Sequence, residues 1–193
     1  MRRVHLAVFL ISTCAVPRSF AAPAGAGRAR ALSVIDVPEL KKALKKNQGR
    51  AVLLHVWATW CLPCVDELPV VNRFAKEMKP RGLDVVSVSL DDPAGSQPLV
   101  GRTLRELGPF LTPIILRVDD VDAFIDAIDA RWQGTIPAVF AYDRDGELRG
   151  SFVGEASRRH LDTLVGPLLL SPPPTTTATK PKKPRAERPS ARP

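Results

Sequence analysis

The stretch WATWCLPCVDELP, residues 57–69, sets Cys61 and Cys64 three positions apart at a junction between two kinds of sequence. Before it runs AVLLHVW (51–57), a near-continuous apolar segment of the sort a strand buried on both faces requires. After it, apolar residues recur at Leu68, Val71, Phe74, Ala75 and Met78, the spacing of one helical face. The two thiols therefore sit where a strand turns into a helix. Three chemistries suit such a pair: metal binding, a structural staple, or electron transfer.

A tetrahedral zinc site needs four ligands. Besides Cys61 and Cys64 the chain beyond its first 21 residues offers His55, His160 and carboxylates, with no second cysteine pair. Two thiolates and a histidine could hold Cu(I), a soft ion, and a Cu(I)-binding or client-docking module is the alternative reading. A staple is a poor use of so short a loop, because entropic stabilisation grows with loop length. Redox chemistry fits the junction best. At a helix start, unpaired N–H groups and the positive end of the helix dipole stabilise a thiolate on Cys61, and a thiolate is what attacks a disulfide. Cys64 lies one turn further in, within reach of a mixed disulfide on Cys61. Trp60 is expected to shield one side of the sulfur. Pro63 falls in the first turn, where a missing N–H costs nothing.

The rest of the chain supplies the context. Of 193 residues, 45% are hydrophobic and 25% charged, ordinary for one globular domain. The formal charge of +8 is confined to the ends: residues 1–30 hold five arginines and no acid, and residues 171–193 hold six basic residues and one acid. Between them stand 17 basic and 19 acidic residues, a net charge of −2, which gives no reason to propose a nucleic-acid partner. The N-terminus combines a basic start (MRR), an apolar run (residues 4–16) too short to span a bilayer, and small residues (SFAAPA, 19–24). This is the pattern of a signal peptide over residues 1–21, cleaved after Ala21 or Ala24. A lipid-anchored alternative would use Cys14, preceded by the ill-suited Thr13. Removal of Cys14 would leave Cys61 and Cys64 as the whole cysteine complement of an exported protein.

A linker is expected over 22–31, an ordered domain over 32–170, and a disordered Pro-, Thr- and Lys/Arg-rich tail over 171–193 that touches anionic surfaces weakly. Within the domain, ALSVID (31–36) reads as a short strand, and VPELKKALKKN (37–47) as a helix capped by Asp36 and ended by Gly49. LDVVSVSLDD (83–92) reads as a buried strand and SQPLVGRTLRELG (96–108) as a helix. TPIILRV (112–118) is a strand or an extended insert, and DDVDAFIDAIDARW (119–132) a helix with acids near its start. PAVFAYDRDGELRGSFVG (137–154) is a hairpin around Asp-Gly, and SRRHLDTLVGPLLL (157–170) a closing helix on which His160 is expected to be solvated. Trp132 reads as core. Strands alternating with helices, then a hairpin, imply an α/β sandwich around a mixed sheet.

WATWCLPC after a buried strand, Pro69 five residues past Cys64, GTIPAVF (134–140) and the hairpin YDRDGEL (142–148) together resemble the thioredoxin superfamily. Cys61, Cys64, Glu67 and Pro69 match the Cys-x-x-Cys-x-x-Glu-x-Pro pattern of its exported TlpA/ResA/CcmG-like reductases. The resemblance implies a three-layer α/β/α sandwich with a mixed central sheet and a C-terminal β-hairpin plus helix. It implies an extracytoplasmic thiol-disulfide oxidoreductase without a cofactor, with cytochrome c maturation as a candidate role. Its partners would be disulfide-containing exported proteins and a membrane thiol reductase as electron donor. It assigns catalysis to Cys61, Cys64 and Glu67, and client contact to Trp60, Pro63, Ile136 and a cis Pro137. The sequence departs from thioredoxin itself six residues before the first cysteine, where His55 replaces an aspartate; His55 is expected to modulate Glu67.

Overall fold

The computed structural model describes residues 32–45 and 49–170. The expected signal peptide, linker and basic tail, with Cys14, lie outside the described residues. In chain order the elements are β1 (Ser33–Asp36), α1 (Val37–Lys45), β2 (Ala51–Trp57), α2 (Leu62–Met78), a 3-10 turn (Lys79–Arg81), β3 (Leu83–Ser89), α3 (Gln97–Leu107), β4 (Thr112–Arg117), α4 (Val121–Ile128), β5 (Ala138–Tyr142), β6 (Leu148–Val153) and α5 (Arg158–Leu170). The six strands form one sheet in the order β1-β4-β3-β2-β5-β6. Its β1, β4, β3 and β2 run parallel, while β5 is antiparallel to β2 and to β6. TPIILRV is thus a full strand, inserted between β1 and β3.

All seven residues of β2 are buried, because both faces of this central strand are covered. Alternation along a strand sends successive side chains to opposite faces. Ala51, Leu53 and Trp57 join a core with α2, α3 and α5, through Leu68, Val71, Phe74, Val100, Leu104, Leu161 and Val165. Val52, Leu54 and Val56 join the opposite core, built on Leu40 and Leu44 of α1 and Phe124 and Ile128 of α4. The result is the three-layer α/β/α sandwich of the thioredoxin fold. Among the described residues no helix is long and apolar enough to cross a membrane.

Local signals account for the element ends. Asp36 Oδ1 accepts the Glu39 N–H at 2.8 Å, and Glu39 Oε2 accepts the Asp36 N–H at 3.1 Å, a reciprocal cap on α1. In the hairpin, Asp143 Oδ1 accepts the N–H groups of Asp145 and Glu147 at 2.9 and 3.0 Å. Gly146 takes a left-handed φ of 81° there, and a Cβ on it would stand 3.3 Å from the Lys45 Cα.

One helix is shorter than its sequence pattern. Instead of running to Trp132, α4 stops at Ile128, where Asp129 is extended. The Asp129 carboxylate takes the N–H and guanidinium of Arg131, offering the backbone an alternative to the helix. This lets Trp132 fold back edge-on between Phe124 and Phe140, with ring centroids 5.4 and 5.1 Å away.

The aromatic trio supplies a stability test. Phe140 is fully buried, so Phe140→Ala is expected to destabilise the oxidised protein by about 3–5 kcal/mol. Denaturant titration measures this; a loss under about 1 kcal/mol would mean that the α1/α4 core is not close-packed.

Candidate active site

Strand β2 ends as the Trp57 C=O accepts the Leu90 N–H at 2.9 Å. The chain then turns, with the Cys61 N–H donating to the Ala58 C=O at 3.2 Å, and α2 begins. Cys61 is the N-cap, with extended backbone, and its C=O accepts the Val65 N–H at 3.1 Å. Pro63 lies in the first turn, as its missing donor allows. A disulfide joins Cys61 to Cys64, with Cα atoms 5.3 Å apart. The two cysteines are not equivalent: Cys61 is 8% exposed and Cys64 0%. Trp60 and Leu62 flank the pair at 68% and 70% exposure. Trp60, expected to shield one side of the sulfur, is largely exposed beside it in sequence.

Below the pair, Glu67 is 1% exposed. Its Oε1 accepts from His55 Nε2 at 2.8 Å, and its Oε2 accepts the Ala156 N–H. His55 itself is fully buried, and its Nδ1 lies 3.1 Å from Ser87 Oγ. The parallel register that sets His55 beside Ser87 explains this contact. With Nε2–H donated to Glu67, Nδ1 accepts the Ser87 hydroxyl, and every polar atom of the imidazole is satisfied. Both ring nitrogens of His55 are thereby engaged.

The second loop of the site comes from β5. Ala138 pairs with Val56, which brings Ile136 and Pro137 to the strand end from which Cys61 follows. The Ile136–Pro137 bond is cis. Ile136 packs against the core that contains Cys61 and Cys64. The Pro137 C=O accepts the Gly154 N–H at 2.8 Å, and the Trp132 indole N–H supports the loop from below by donating to the Thr135 C=O at 2.8 Å.

A third group escapes sequence reading. Asp91 is 3% exposed. Its Oδ1 accepts the Thr59 hydroxyl; its Oδ2 accepts the Thr59 N–H at 2.9 Å and the Ser89 hydroxyl. Trp57 pairs with Ser89, so Thr59 and Asp91 each stand two residues past the ends of adjacent parallel strands. That pairing is the signal that could have found them. His160, expected to be solvated, is instead half-buried. It stacks on Phe152 with ring centroids 4.0 Å apart, and its Nδ1 accepts the Ser157 N–H at 3.2 Å at the start of α5.

The family model described as Redoxin matches residues 21–165. The chain is 29% identical over 133 residues to the thiol-disulfide oxidoreductase ResA of Geobacillus kaustophilus, a match covering 67% of this chain and 71% of that protein. It is 26% identical over 129 residues to ResA of Bacillus anthracis, covering 67% and 69%. Among solved structures, a thiol:disulfide interchange protein of the thioredoxin family from Chlorobium tepidum superposes with a TM-score of 0.53 at 26% identity, covering 67% of this chain and 84% of that one.

The contacts of Glu67 make a prediction independent of catalysis. Glu67→Ala strands buried donors on His55 and Ala156 and is expected to cost about 2–4 kcal/mol. Glu67→Gln is expected to cost less than about 1 kcal/mol: its oxygen can accept the Ala156 N–H, and its amide can donate to His55 in the other tautomer, which then donates to Ser87. Equal losses in denaturant titrations of the two variants would refute this account.

Proposed function

The chain belongs to the Redoxin family and is a thiol-disulfide oxidoreductase, and from that premise we propose that it works outside the cytoplasm as a reductant of disulfides in exported proteins, apocytochrome c among the candidate clients. The signal-peptide pattern over residues 1–21 supports the location. The observation that carries the mechanism is the inequality of the two cysteines, Cys61 keeping a small exposed area and Cys64 none.

Cys61, at the helix N-terminus, is the attacking thiolate. It bonds to one sulfur of a client disulfide; that S–S bond breaks, and the client's other sulfur leaves as a thiolate that takes up a proton. Cys64 then loses its proton to Glu67, one helical turn along the same face. Its thiolate attacks the Cys61 sulfur, the mixed disulfide breaks, and the second client thiolate leaves. Two electrons pass to the client, and the protein ends with the Cys61–Cys64 disulfide described above. A membrane thiol reductase would restore the dithiol. His55 modulates the step by holding Glu67 Oε1. Ile136 and Pro137, with Trp60 and Pro63, form the client surface, where an extended client segment can pair with backbone in a β-like manner.

Cys64→Ser is expected to accumulate mixed disulfides with client proteins in the native compartment, and Cys61→Ser is not. Non-reducing electrophoresis reads this directly; trapping by Cys61→Ser alone would reverse the assignment. Metal analysis of the anaerobically purified dithiol form separates this reading from a Cu(I) carrier, which would retain stoichiometric copper.

Glu67→Gln is expected to slow the resolving step about a hundredfold, the usual scale of a lost general base. His55→Asn is expected to slow it less. Stopped-flow decay of a preformed mixed disulfide measures both. The roles exchange if His55→Asn is slow and Glu67→Gln is not.

A further inference from the structure

The mechanism above leaves one buried charged group unused. Asp91 lies outside the Cys61–Glu67–His55 set, yet both its carboxylate oxygens point at the segment that carries Cys61. Of its three donors, two belong to Thr59, through the backbone N–H at 2.9 Å and the hydroxyl. Ser89 supplies the third and anchors Asp91 from behind, since Ser89 Oγ also accepts the Asp91 N–H at 3.0 Å.

Residues 58–61 belong to neither β2 nor α2. Their other backbone bonds, from the Cys61 N–H to the Ala58 C=O and from the Val65 N–H to the Cys61 C=O, stay within the turn and α2 and do not fasten the turn to the sheet. Among the described residues, the Thr59–Asp91 bonds are the hydrogen bonds that do so. Enclosing a carboxylate merely to hold two strands together would be a costly choice, because apolar replacements of buried charges are often neutral or stabilising. A carboxylate suits a different task. It takes an N–H and an O–H of one residue at once, which fixes both the position and the orientation of that residue.

We propose that Asp91 is the positioning residue of the Cys61 turn: through Thr59 it holds Cys61 against Cys64 in both redox states, and so makes the dithiol a stronger reductant. The inference rests on the reductase reading and deepens it. Forming the intramolecular disulfide orders the turn, and a turn already held loses less conformational freedom when the bond closes. The effective concentration of one thiol at the other is then higher. That favours the disulfide over the dithiol and speeds the attack of Cys64 on a mixed disulfide. Release of the turn acts in the opposite direction on both.

The test is the equilibrium of the full protein with glutathione redox buffers, with the dithiol fraction fixed by thiol alkylation. Asp91→Ala is expected to shift that equilibrium at least tenfold toward the dithiol, about 30 mV less reducing. Thr59→Val keeps the backbone N–H but loses the hydroxyl; it is expected to shift the equilibrium in the same direction by about threefold, a fraction of the full effect. Thr59→Ser is expected to restore it. Decay of a preformed mixed disulfide should slow in the same order. Variants that melt earlier but keep the wild-type equilibrium would reduce Asp91 to a structural role and overturn the proposal, as would a shift toward the disulfide. If Asp91→Ala does not fold, the contrast between Thr59→Val and Thr59→Ser decides alone. The glutathione equilibrium needs no client, so wild-type protein that equilibrates yet reduces no exported protein would refute the client reading and leave this one standing.

Discussion

A carboxylate in the middle of a buried helix face has to be satisfied by the protein itself, and the layout of the site follows from how Glu67 is satisfied. An uncompensated buried charge costs several kcal/mol, so its two oxygens need donors from neighbouring elements. One donor is His55 on β2, the strand that leads into the cysteines; the other is the Ala156 N–H, in the connection between β6 and α5. The same connection reaches Pro137 through the Gly154 N–H. One side chain on the cysteine helix is therefore linked to the strand before it and, through a few residues, to the cis-proline loop beside it. The elements that must agree on where the sulfurs sit are those that share this carboxylate.

The two faces of the sheet divide the work. The α1/α4 face is closed by aliphatic side chains and the Phe124–Trp132–Phe140 stack. The buried polar side chains among the described residues are His55, Glu67, Ser87, Ser89 and Asp91. All come from β2, β3, the residues just past β3, or α2, and the hydrogen bonds of each lead toward the face that carries Cys61 and Cys64. Polar groups in a core are for the most part paired. Here the pairs are made across the parallel β2–β3 register, which sets His55 beside Ser87 and carries Thr59 to Asp91. The α1/α4 core holds none of these five side chains.

Local rules are enough to read an α/β sandwich around a mixed sheet, with seven apolar residues for the central strand, a three-four spacing for α2 and Asp-Gly for the hairpin, while the three-layer thioredoxin arrangement rests on the family resemblance. Where a local rule was overridden, the reading failed. Spacing carried α4 on to Trp132, but Asp129 captures Arg131 and ends the helix early. His160 looked solvated beside two arginines, yet Phe152 from the adjacent strand offers it a ring face. The site was legible in the same measure. Glu67 is picked out by the Cys-x-x-Cys-x-x-Glu-x-Pro resemblance, and its three-residue distance from Cys64 agrees with that assignment. That His55, twelve residues earlier, is its hydrogen-bond partner depends on the angle at which α2 crosses the sheet. Asp91 and Thr59 are harder still, since their contact exists only once two strands far apart in sequence are known to be parallel neighbours in register.

The smallness of the disulfide loop completes the physical picture. A bridge between residues three apart restrains so little of the unfolded chain that loop-entropy arguments allow it only about 2 kcal/mol. Two apolar cores, one on each side of the sheet, supply the stability instead. A structural bridge would gain by closing a longer loop and by being enclosed at both ends. This one closes a short loop and leaves Cys61 partly open, between the exposed Trp60 and Leu62. A protein that must be oxidised and reduced in every cycle needs that separation, because the fold then survives the loss of the bond and the free energy of the bond is available for exchange with another disulfide.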